Sequence, residues 1–227
     1  MLNRVVLIVC FVLIVSVNVT AQIQRDSSTH KRAQRLEPCI VESAKRYGLD
    51  PRLLRVLCYL ESRFRLDAIS PKGARGPMQF MPETAARYGL TNPHDPRAAI
   101  DAAARYLRDL VRRFEGRLDL ALAAYNAGEA TVDAFRNGRA LRLGNGRIVN
   151  AGQLITGGIP PYRETQNYVR SAIRLLNEEG LVITRATRAM ITNRNVITVR
   201  DFTIDVSDTL NAARSSEQVT PFFIDIP

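Results

Sequence analysis

The chain has 227 residues, of which 46% are hydrophobic, so it is long enough for one domain with a substantial core plus tails, and it is not an intrinsically disordered protein. Its 32 lysines and arginines outnumber 22 acidic residues, which gives a formal net charge of +10. Such a charge favours a polyanionic partner, which here means nucleic acid, an anionic lipid surface or an acidic cell-wall polymer.

The first 21 residues have the pattern of a secretory signal peptide. Arg4 precedes an apolar run from Val5 to Val17, which has the length of a signal-peptide core and is too short for a comfortable membrane span. Val19-Thr20-Ala21 then offers a small-residue cleavage site. We predict that residues 1–21 are removed on export, which leaves no stable membrane span; an uncleaved N-terminal anchor is the alternative. Export makes nucleic acid a poor candidate for the partner.

Residues 22–37 are polar and charged, and they predict a flexible leader between the cleavage site and the domain. Removal of the signal peptide also removes Cys10, so that an even pair, Cys39 and Cys58, remains in an oxidising compartment. If helices flank a turn at Gly48-Leu49-Asp50, the two cysteines lie at similar heights above it. We predict a disulfide between them, with two separate buried thiols as the alternative.

Residues 38–180 predict one mainly helical domain. An aspartate followed by proline, as at Asp50-Pro51 and Asp95-Pro96, is a typical N-cap and first helical residue. Apolar residues recur at helical spacing after these signals, and glycine ends several of the segments. The predicted helices cover residues 38–47, 51–64, 82–88, 96–114, 118–125, 129–135 and 164–177.

Two regions depart from the helical pattern. Between residues 137 and 158, Asn145-Gly146 lies between alternating apolar residues, which predicts a small β-hairpin on the surface of the domain. From residue 181 to 227 the sequence is rich in β-branched residues. We predict a C-terminal β-rich or partly disordered extension, in which a strand pair or an edge that docks on a partner are the ordered forms.

One carboxylate lies beside the apolar stripe of the helix that begins at Pro51. Glu61 follows Leu54 and Cys58 at helical spacing, so it points toward the interior edge. An unpaired carboxylate there is costly when it is ionised, so its pKa should rise, as a general acid requires. From this helix alone, however, an ion pair with an arginine at the helix end is the favoured interpretation.

Four separated segments combine residues that are unusual for a helical domain. They are Glu61-Ser62, Gly76-Pro77-Met78-Gln79, Ala124-Tyr125-Asn126-Ala127-Gly128 and Glu164-Thr165-Gln166-Asn167-Tyr168-Val169. In this order and spacing they resemble the catalytic domain of the soluble lytic transglycosylase family, a lysozyme-like group that includes goose-type lysozyme relatives. The resemblance covers residues 38–177, implies a mainly α, lysozyme-like fold and reverses the interpretation of Glu61. It is greatest to the small single-domain form found beside secretion, pilus and conjugation machinery.

The resemblance also implies a role for individual residues. Glu61 would be the sole catalytic acid/base, and Ser62 would be its hydrogen-bonding neighbour. The other residues of the implied substrate groove are Met78 and Gln79 in its lining, Tyr125 and Asn126 across from Glu61, and Tyr168 and Glu164 in the remaining wall. Two positions depart from the family pattern, because Pro77 stands where an aliphatic residue is usual and Gln166 where an arginine is usual. Both departures bear on the shape of the groove.

The implied activity is lytic cleavage of the β-1,4 bond between N-acetylmuramic acid and N-acetylglucosamine in periplasmic peptidoglycan, with 1,6-anhydromuramoyl ends and no cofactor or metal. The implied partners are glycan strands and components of an envelope-spanning secretion, pilus or conjugation complex. Two alternatives stay open. A muramidase would hydrolyse the same bond with a second carboxylate, for which Asp67, Asp101 and Glu164 are candidates by type. A glycan-binding scaffold would retain the fold without the activity.

Overall fold

The computed structural model describes residues 27–183, so the predicted signal peptide and residues 184–227 of the extension predicted for 181–227 lie outside the described residues, while residues 181–183 are helical and continue the last helix. Within them the fold has seven helices and one two-stranded antiparallel sheet, which confirms the predicted mainly helical class with a small hairpin. The elements are α1 (27–47), α2 (Pro51–Ser62), α3 (Pro82–Arg87), α4 (Pro96–Arg113), α5 (Leu118–Ala127), α6 (Glu129–Arg136), β1 (Leu141–Arg142), β2 (Ile148–Val149) and α7 (Arg163–Ile183). None of the described helices is both long enough and apolar enough to cross a bilayer.

Both predicted aspartate caps are formed. The Asp50 carboxylate accepts a hydrogen bond from the Arg52 backbone N–H at 2.9 Å, and the Asp95 carboxylate accepts one from the Ala98 N–H at 2.8 Å. Each bond satisfies an N–H group that has no partner within the first helical turn. At its other end, α2 stops because Arg63 adopts a left-handed conformation with φ of 53°. The catalytic candidate therefore lies in the last turn of a helix with defined ends.

Helix α5 is the centre of the core. It is apolar around most of its circumference and packs against α4, α6 and α7, as expected for a helix that is buried on all sides. Helix α2 packs against α7 in turn. This arrangement brings the C-terminal end of α2 close to the first turns of α7, although the two segments are more than 100 residues apart in the sequence.

The hairpin predicted from Asn145-Gly146 is present. Leu141 pairs with Val149 and Arg142 pairs with Ile148, and Gly146 has a φ of 83° in the connecting turn. A positive φ of this kind favours glycine, which explains why the sequence signal is dependable here.

The first helix begins much earlier than the sequence indicates. We expected a flexible leader up to residue 37, but residues 27–37 are helical and continuous with 38–47. Pro38 resembles a helix start, since proline is favoured in the first turn, yet it lies exposed within α1. Leu36 and Ile40, on the buried side of the helix, join the core and hold the extension in place. The prediction is therefore wrong for residues 27–37.

The predicted disulfide is also absent. Cys39 and Cys58 are both free thiols, the first half-buried and the second fully buried in the core. Burial raises the pKa of the Cys58 thiol, and its polar neighbours are Ser62 and Glu61. Equal height along two helices does not make a disulfide, because the rotation of each helix also has to turn the two Cβ atoms toward each other.

Candidate active site

An open cleft runs past the end of α2. It is lined by Glu61, by Ser70, Lys72, Ala74, Gln79 and Met81 from the segment between α2 and α3, and by Tyr125 and Asn126 at the end of α5. The cleft therefore contains four of the residues that the sequence analysis assigned to a single site and four that it did not.

The surroundings of Glu61 favour the protonated form of its carboxyl group. Its Oε1 accepts a hydrogen bond from the Tyr168 hydroxyl at 2.6 Å. Burial raises the pKa of the Glu61 carboxyl to about 8, against the lowering effect of the Tyr168 hydrogen bond, and the negative charge of Glu164 raises it further. Among residues 27–178 no arginine forms an ion pair with Glu61, so the ion-pair interpretation is wrong. The carboxyl has the properties of a general acid.

Helix α7 contributes Glu164 and Tyr168, which are one turn apart and therefore on the same side of the helix. Tyr168 is almost completely buried, and its hydroxyl pKa is raised well above the ordinary value, first by burial and then by the charge of Glu61. A phenol with such a pKa remains a hydrogen-bond donor at all physiological pH values. It can therefore stabilise the Glu61 carboxylate whenever the proton leaves.

Tyr125 forms a fixed aromatic wall of the cleft. Its hydroxyl donates to the Met78 carbonyl oxygen at 3.1 Å, and its ring centroid lies 5.2 Å from that of Tyr106. Tyr106 in turn donates to Glu129 Oε2 at 2.8 Å, and Glu129 pairs with Arg87. Contacts on both sides thus fix the Tyr125 ring before any ligand arrives.

The adjoining Asn126 also lines the cleft. Its Oδ1 is buried and has no hydrogen-bond partner among the described residues. An unsatisfied amide oxygen is costly, and such atoms in folded proteins call for an explanation such as a ligand or an ordered water molecule. Oδ1 can accept a hydrogen bond from an N–H group of a bound molecule.

The Gly76-Pro77-Met78-Gln79 segment is a tight turn that only glycine can begin. Gly76 has a φ of 77°, and a Cβ atom at this position would lie 1.8 Å from the carbonyl oxygen of Pro93. Gln79 also has a positive φ, of 48°, and its amide donates to the Gly76 carbonyl at 2.8 Å. The turn places Gln79 in the cleft, as the sequence analysis expected.

The side chains of Ser62 and Met78 are not in the cleft. Met78 is fully buried in the core, and only its carbonyl takes part in the site, by accepting the Tyr125 hydrogen bond. Ser62 is 3% exposed and donates to the Pro77 carbonyl at 2.9 Å, while its hydroxyl accepts from the Arg65 N–H at 3.1 Å. The structure therefore places both side chains behind the wall of the cleft, where α2 packs against the Gly76 turn.

The other wall of the cleft is a loop whose residues Ser70, Lys72, Ala74 and Met81 were not predicted from the sequence. The breakers Ser70-Pro71 and Gly73 indicated only a loop. Ser70 and Ala74 close this loop by a backbone hydrogen bond of 2.9 Å, and the Ser70 hydroxyl accepts from the Ala74 N–H at 3.0 Å. The signal that could have found them is the position of a lysine and a serine between the two motifs that flank the cleft. Within residues 27–183 no three histidine, cysteine or acidic side chains converge in a way that would hold a metal ion.

Comparison with known families agrees with this geometry. Residues 38–141 match the family model described as the transglycosylase SLT domain. Residues 38–141 are therefore similar to an SLT domain. This confirms the resemblance to the soluble lytic transglycosylase family, and the matched residues include Glu61 and every other residue that lines the cleft.

Individual relatives extend the SLT match. Membrane-bound lytic murein transglycosylase F 1 of Alkalilimnicola ehrlichii is 34% identical over 136 residues, which are 57% of this chain and 27% of that protein. Membrane-bound lytic murein transglycosylase F of Pseudoalteromonas translucida is 42% identical over 94 residues, which are 39% of this chain and 20% of that protein. The chain thus spans about a quarter of the length of these relatives.

A solved structure shows the same fold. The lytic transglycosylase Slt from Pseudomonas aeruginosa, crystallised as an inactive glutamate-to-glutamine mutant, superimposes with a TM-score of 0.50 and 29% identity over 65% of this chain and 24% of that one. The predicted lysozyme-like helical architecture of the SLT domain is confirmed.

Proposed function

We propose that this chain is a lytic transglycosylase that cleaves the β-1,4 bond between N-acetylmuramic acid and N-acetylglucosamine in peptidoglycan. The observation that carries the proposal is the Glu61 carboxyl, which lines an open cleft and accepts a hydrogen bond from Tyr168, and whose pKa is raised by burial. The relatives named lytic murein transglycosylases support the same activity.

The proposed reaction needs only one carboxyl group. Protonated Glu61 gives its proton to the glycosidic oxygen while the bond from that oxygen to the muramoyl C1 breaks. The N-acetyl oxygen of the sugar stabilises the oxocarbenium-like centre at C1, as in substrate-assisted glycosidases. The Glu61 carboxylate then takes the proton of the muramoyl 6-hydroxyl while that oxygen bonds to C1. The 1,6-anhydro ring closes, Glu61 recovers its proton, and no water is consumed.

The neighbours of Glu61 suit both halves of this cycle. Burial and Glu164 favour the protonated acid before bond cleavage, while the Tyr168 hydrogen bond favours the carboxylate afterwards. Opposed influences of this kind keep the pKa near neutral pH, where a group can both give and take a proton. Glu164 and Tyr168 therefore act on the reaction through Glu61.

The cleft walls suit an N-acetylated sugar. Tyr125 provides a fixed aromatic ring against which the apolar face of a sugar can pack. Asn126 Oδ1 lacks a partner among the described residues and can accept the N–H of an N-acetyl group. Gln79 completes the polar lining. Ser62 and Met78 support this lining from behind and do not bind the sugar.

Hydrolysis of the same bond is the second candidate, and it rests on Glu164. Of the three acids considered as a second carboxylate, only Glu164 acts on the Glu61 pKa. Asp101 is occupied by Arg46 and Tyr47 between α1 and α4. Asp67 is exposed and does not line the cleft. A glycan-binding scaffold without activity would not need a carboxyl kept protonated by burial.

The location that fits this activity is the periplasm, where the glycan strands are accessible to an exported enzyme. The composition of residues 1–21 supports export, and we associate the enzyme with an envelope-spanning secretion, pilus or conjugation complex that needs local remodelling of the wall. N-terminal sequencing of the exported protein tests the first step. The expected new N-terminus is Gln22, whereas a mature protein that retains Met1 contradicts cleavage.

Digestion of purified peptidoglycan, followed by mass spectrometry, tests the activity. The expected products carry 1,6-anhydromuramoyl ends. Reducing ends would support the hydrolase, and intact glycan would support the scaffold. In the same assay Glu61→Gln should abolish cleavage, because an amide of nearly the same shape cannot cycle a proton. Glu178→Gln, an exposed position on α7, is the matched control and should cleave normally. Undiminished cleavage by Glu61→Gln would contradict the assignment of Glu61 as the catalytic acid/base.

A further inference from the structure

The connection between α6 and α7, together with Arg163 at the start of α7, has an unusual charge balance. Residues 137–163 contain four arginines and no aspartate or glutamate, although the whole chain has 22 acidic residues. The four exposed arginines are Arg139, Arg142, Arg147 and Arg163. Arginines just outside the segment have acidic partners, as Arg136 has in Glu115. Within residues 27–178, by contrast, no ion pair joins Arg139, Arg142 or Arg163 to an acidic side chain.

The same segment exposes large aliphatic side chains. Ile148 is 47% exposed, Leu154 55% and Ile155 75%. In the hairpin, Arg142 lies directly opposite Ile148 on the outer face, while Leu141 and Val149 lie opposite each other on the inner face. Arg142 and Ile148 thus alternate with the inward-facing side chains and form a basic and apolar outer face.

Buried polar contacts hold this face outward. Asn150 is 7% exposed, and its amide donates to the Ala134 carbonyl at 3.0 Å and to the Leu154 carbonyl at 3.0 Å. Its Oδ1 accepts from the Leu154 N–H at 2.8 Å. A Cβ atom at Gly138 would lie 2.7 Å from Ile155 Cγ1, so the backbone fits closely around that side chain. The apolar residues are therefore displayed by a specific fold of the loop and are not the ends of a loose segment.

We propose that the surface of residues 137–163 docks on a bilayer that contains anionic phospholipids. The guanidinium groups would bind headgroup phosphates, and Ile148, Leu154 and Ile155 would enter the boundary between headgroups and acyl chains. The positive charge of residues 137–163 is complementary to an anionic bilayer. Arginines beside aliphatic side chains suit the region where charged headgroups meet the acyl chains. The one aromatic residue of residues 137–163 is Tyr162, and its ring packs edge-on against Phe135, so this surface lacks a free flat ring against which a sugar can pack. This distinguishes a lipid surface from a glycan strand as the occupant.

None of the residues that line the cleft belongs to this segment, so docking here uses a different set of side chains. The inference does not depend on the proposed lytic activity. It would hold for a hydrolase or for a scaffold with the same surface.

A fluorescent probe at one residue tests the contact between this surface and a bilayer. It is used in the full chain, because a local probe reports on this contact even if residues 1–21 also bind the bilayer. The environment-sensitive dye NBD is attached at Ile155→Cys, with Cys10 and Cys39 replaced by serine; Cys58 is fully buried. The matched control carries the dye at Val41→Cys, a 45% exposed position on α1. Vesicles of phosphatidylethanolamine and phosphatidylglycerol should shift the emission of the first probe to the blue, while the control probe and vesicles of phosphatidylcholine should give no shift.

Charge variants complete the test. The triple variant Arg139→Gln, Arg142→Gln and Arg163→Gln should weaken the apparent vesicle affinity on the order of 100-fold, as expected for three basic residues near an anionic surface. Lys31→Gln, Arg35→Gln and Lys45→Gln remove the same charge from exposed positions on α1 and should have little effect. Added salt should also weaken vesicle binding, and therefore the blue shift, of the labelled chain that keeps all of these arginines.

Three results would overturn the proposal. They are a probe at residue 155 that stays in water on anionic vesicles, an equal loss of affinity in both triple variants, and a blue shift with purified glycan strands in place of vesicles. The last result would assign the surface to peptidoglycan.

Discussion

Tyr168 donates a hydrogen bond to Glu61 Oε1 at 2.6 Å and so joins the first turns of α7 to the last turn of α2. The bond favours the ionised carboxyl, whereas burial and Glu164 favour the protonated one. The protonation state of Glu61 is thus set by its burial and by two side chains of α7, Tyr168 and Glu164, and each of these side chains can be altered separately.

Tyr168→Phe should raise the pKa of Glu61, since it removes a hydrogen bond that lowers it. The alkaline limb of the pH–rate profile should move to higher pH by about one to two units, because a hydrogen bond to a charged group contributes roughly 1.5–3 kcal/mol. The maximal rate should fall, since the carboxylate left after proton donation loses its donor. Tyr162→Phe is the control, because that ring packs on Phe135 and Tyr162 does not line the cleft. An unchanged profile in Tyr168→Phe would contradict the role of the bond.

Glu164→Gln should have the opposite effect on the profile. The negative charge of Glu164 raises the pKa of Glu61, so its removal should move the alkaline limb to lower pH. Cleavage with anhydro products should persist, because Glu164 does not take part in the transfer of the proton. Glu178→Gln, at an exposed site farther along α7, should leave the limb in place. If Glu164→Gln instead abolishes cleavage and the wild type releases reducing ends, the hydrolase is the correct function.

The raised pKa of Glu61 also predicts how stability depends on pH. The folded-state pKa of about 8 lies above the reference value of 4.5, so the unfolded chain loses this proton first as the pH rises. The contribution of Glu61 to stability is therefore complete below about pH 4.5 and is lost progressively as the pH rises to about 8. Glu61→Gln should not show this loss of stability, because the amide does not ionise. Urea unfolding at several pH values should show the variant gaining roughly 3–5 kcal/mol on the wild type between pH 4.5 and 9, and a constant difference would contradict the raised pKa.

Local signals in the sequence predict most of the helices and the hairpin. Asp50-Pro51, Asp95-Pro96 and Asn145-Gly146 each restrict the backbone through their own chemistry, so their effect does not depend on distant contacts. Pro38 misled the prediction because the same residue suits both a helix start and an exposed position inside a helix. Only the burial of Leu36 and Ile40 against the core distinguishes the two cases.

The sequence predicts a site residue well where the reaction requires a particular residue type. It predicts less well where the direction of the side chain decides whether the residue reaches the cleft. Glu61 and Tyr125 were identified because their residue types suit the reaction that the motifs imply. Ser62 and Met78 belong to the same motifs, but their side chains point away from the cleft. Lys72 was missed because it lies in a loop without periodicity, and the loop reaches the cleft only through the fold of the Gly76 turn.

The free thiols predict that reducing agent leaves the melting temperature unchanged. Cys39→Ser should also have little effect, because Cys39 is only half-buried and its thiol is not paired. Cys58→Ser should lose roughly 1–3 kcal/mol, since it places a hydroxyl at a fully buried position. Thermal melts with and without reductant measure the first effect, and urea unfolding the other two. A disulfide would instead make both substitutions and the reductant destabilising to a similar degree.

Ser62→Ala should destabilise the protein and leave its affinity for glycan nearly unchanged. The hydroxyl donates to the Pro77 carbonyl and accepts from the Arg65 N–H, so alanine leaves a buried carbonyl and a backbone N–H without this partner. We expect a loss of roughly 1–3 kcal/mol in urea unfolding. Ser70→Ala is the matched comparison, because Ser70 lines the cleft, and its KM for glycan should rise instead. A fully stable Ser62→Ala variant with a raised KM would return Ser62 to the substrate-binding residues.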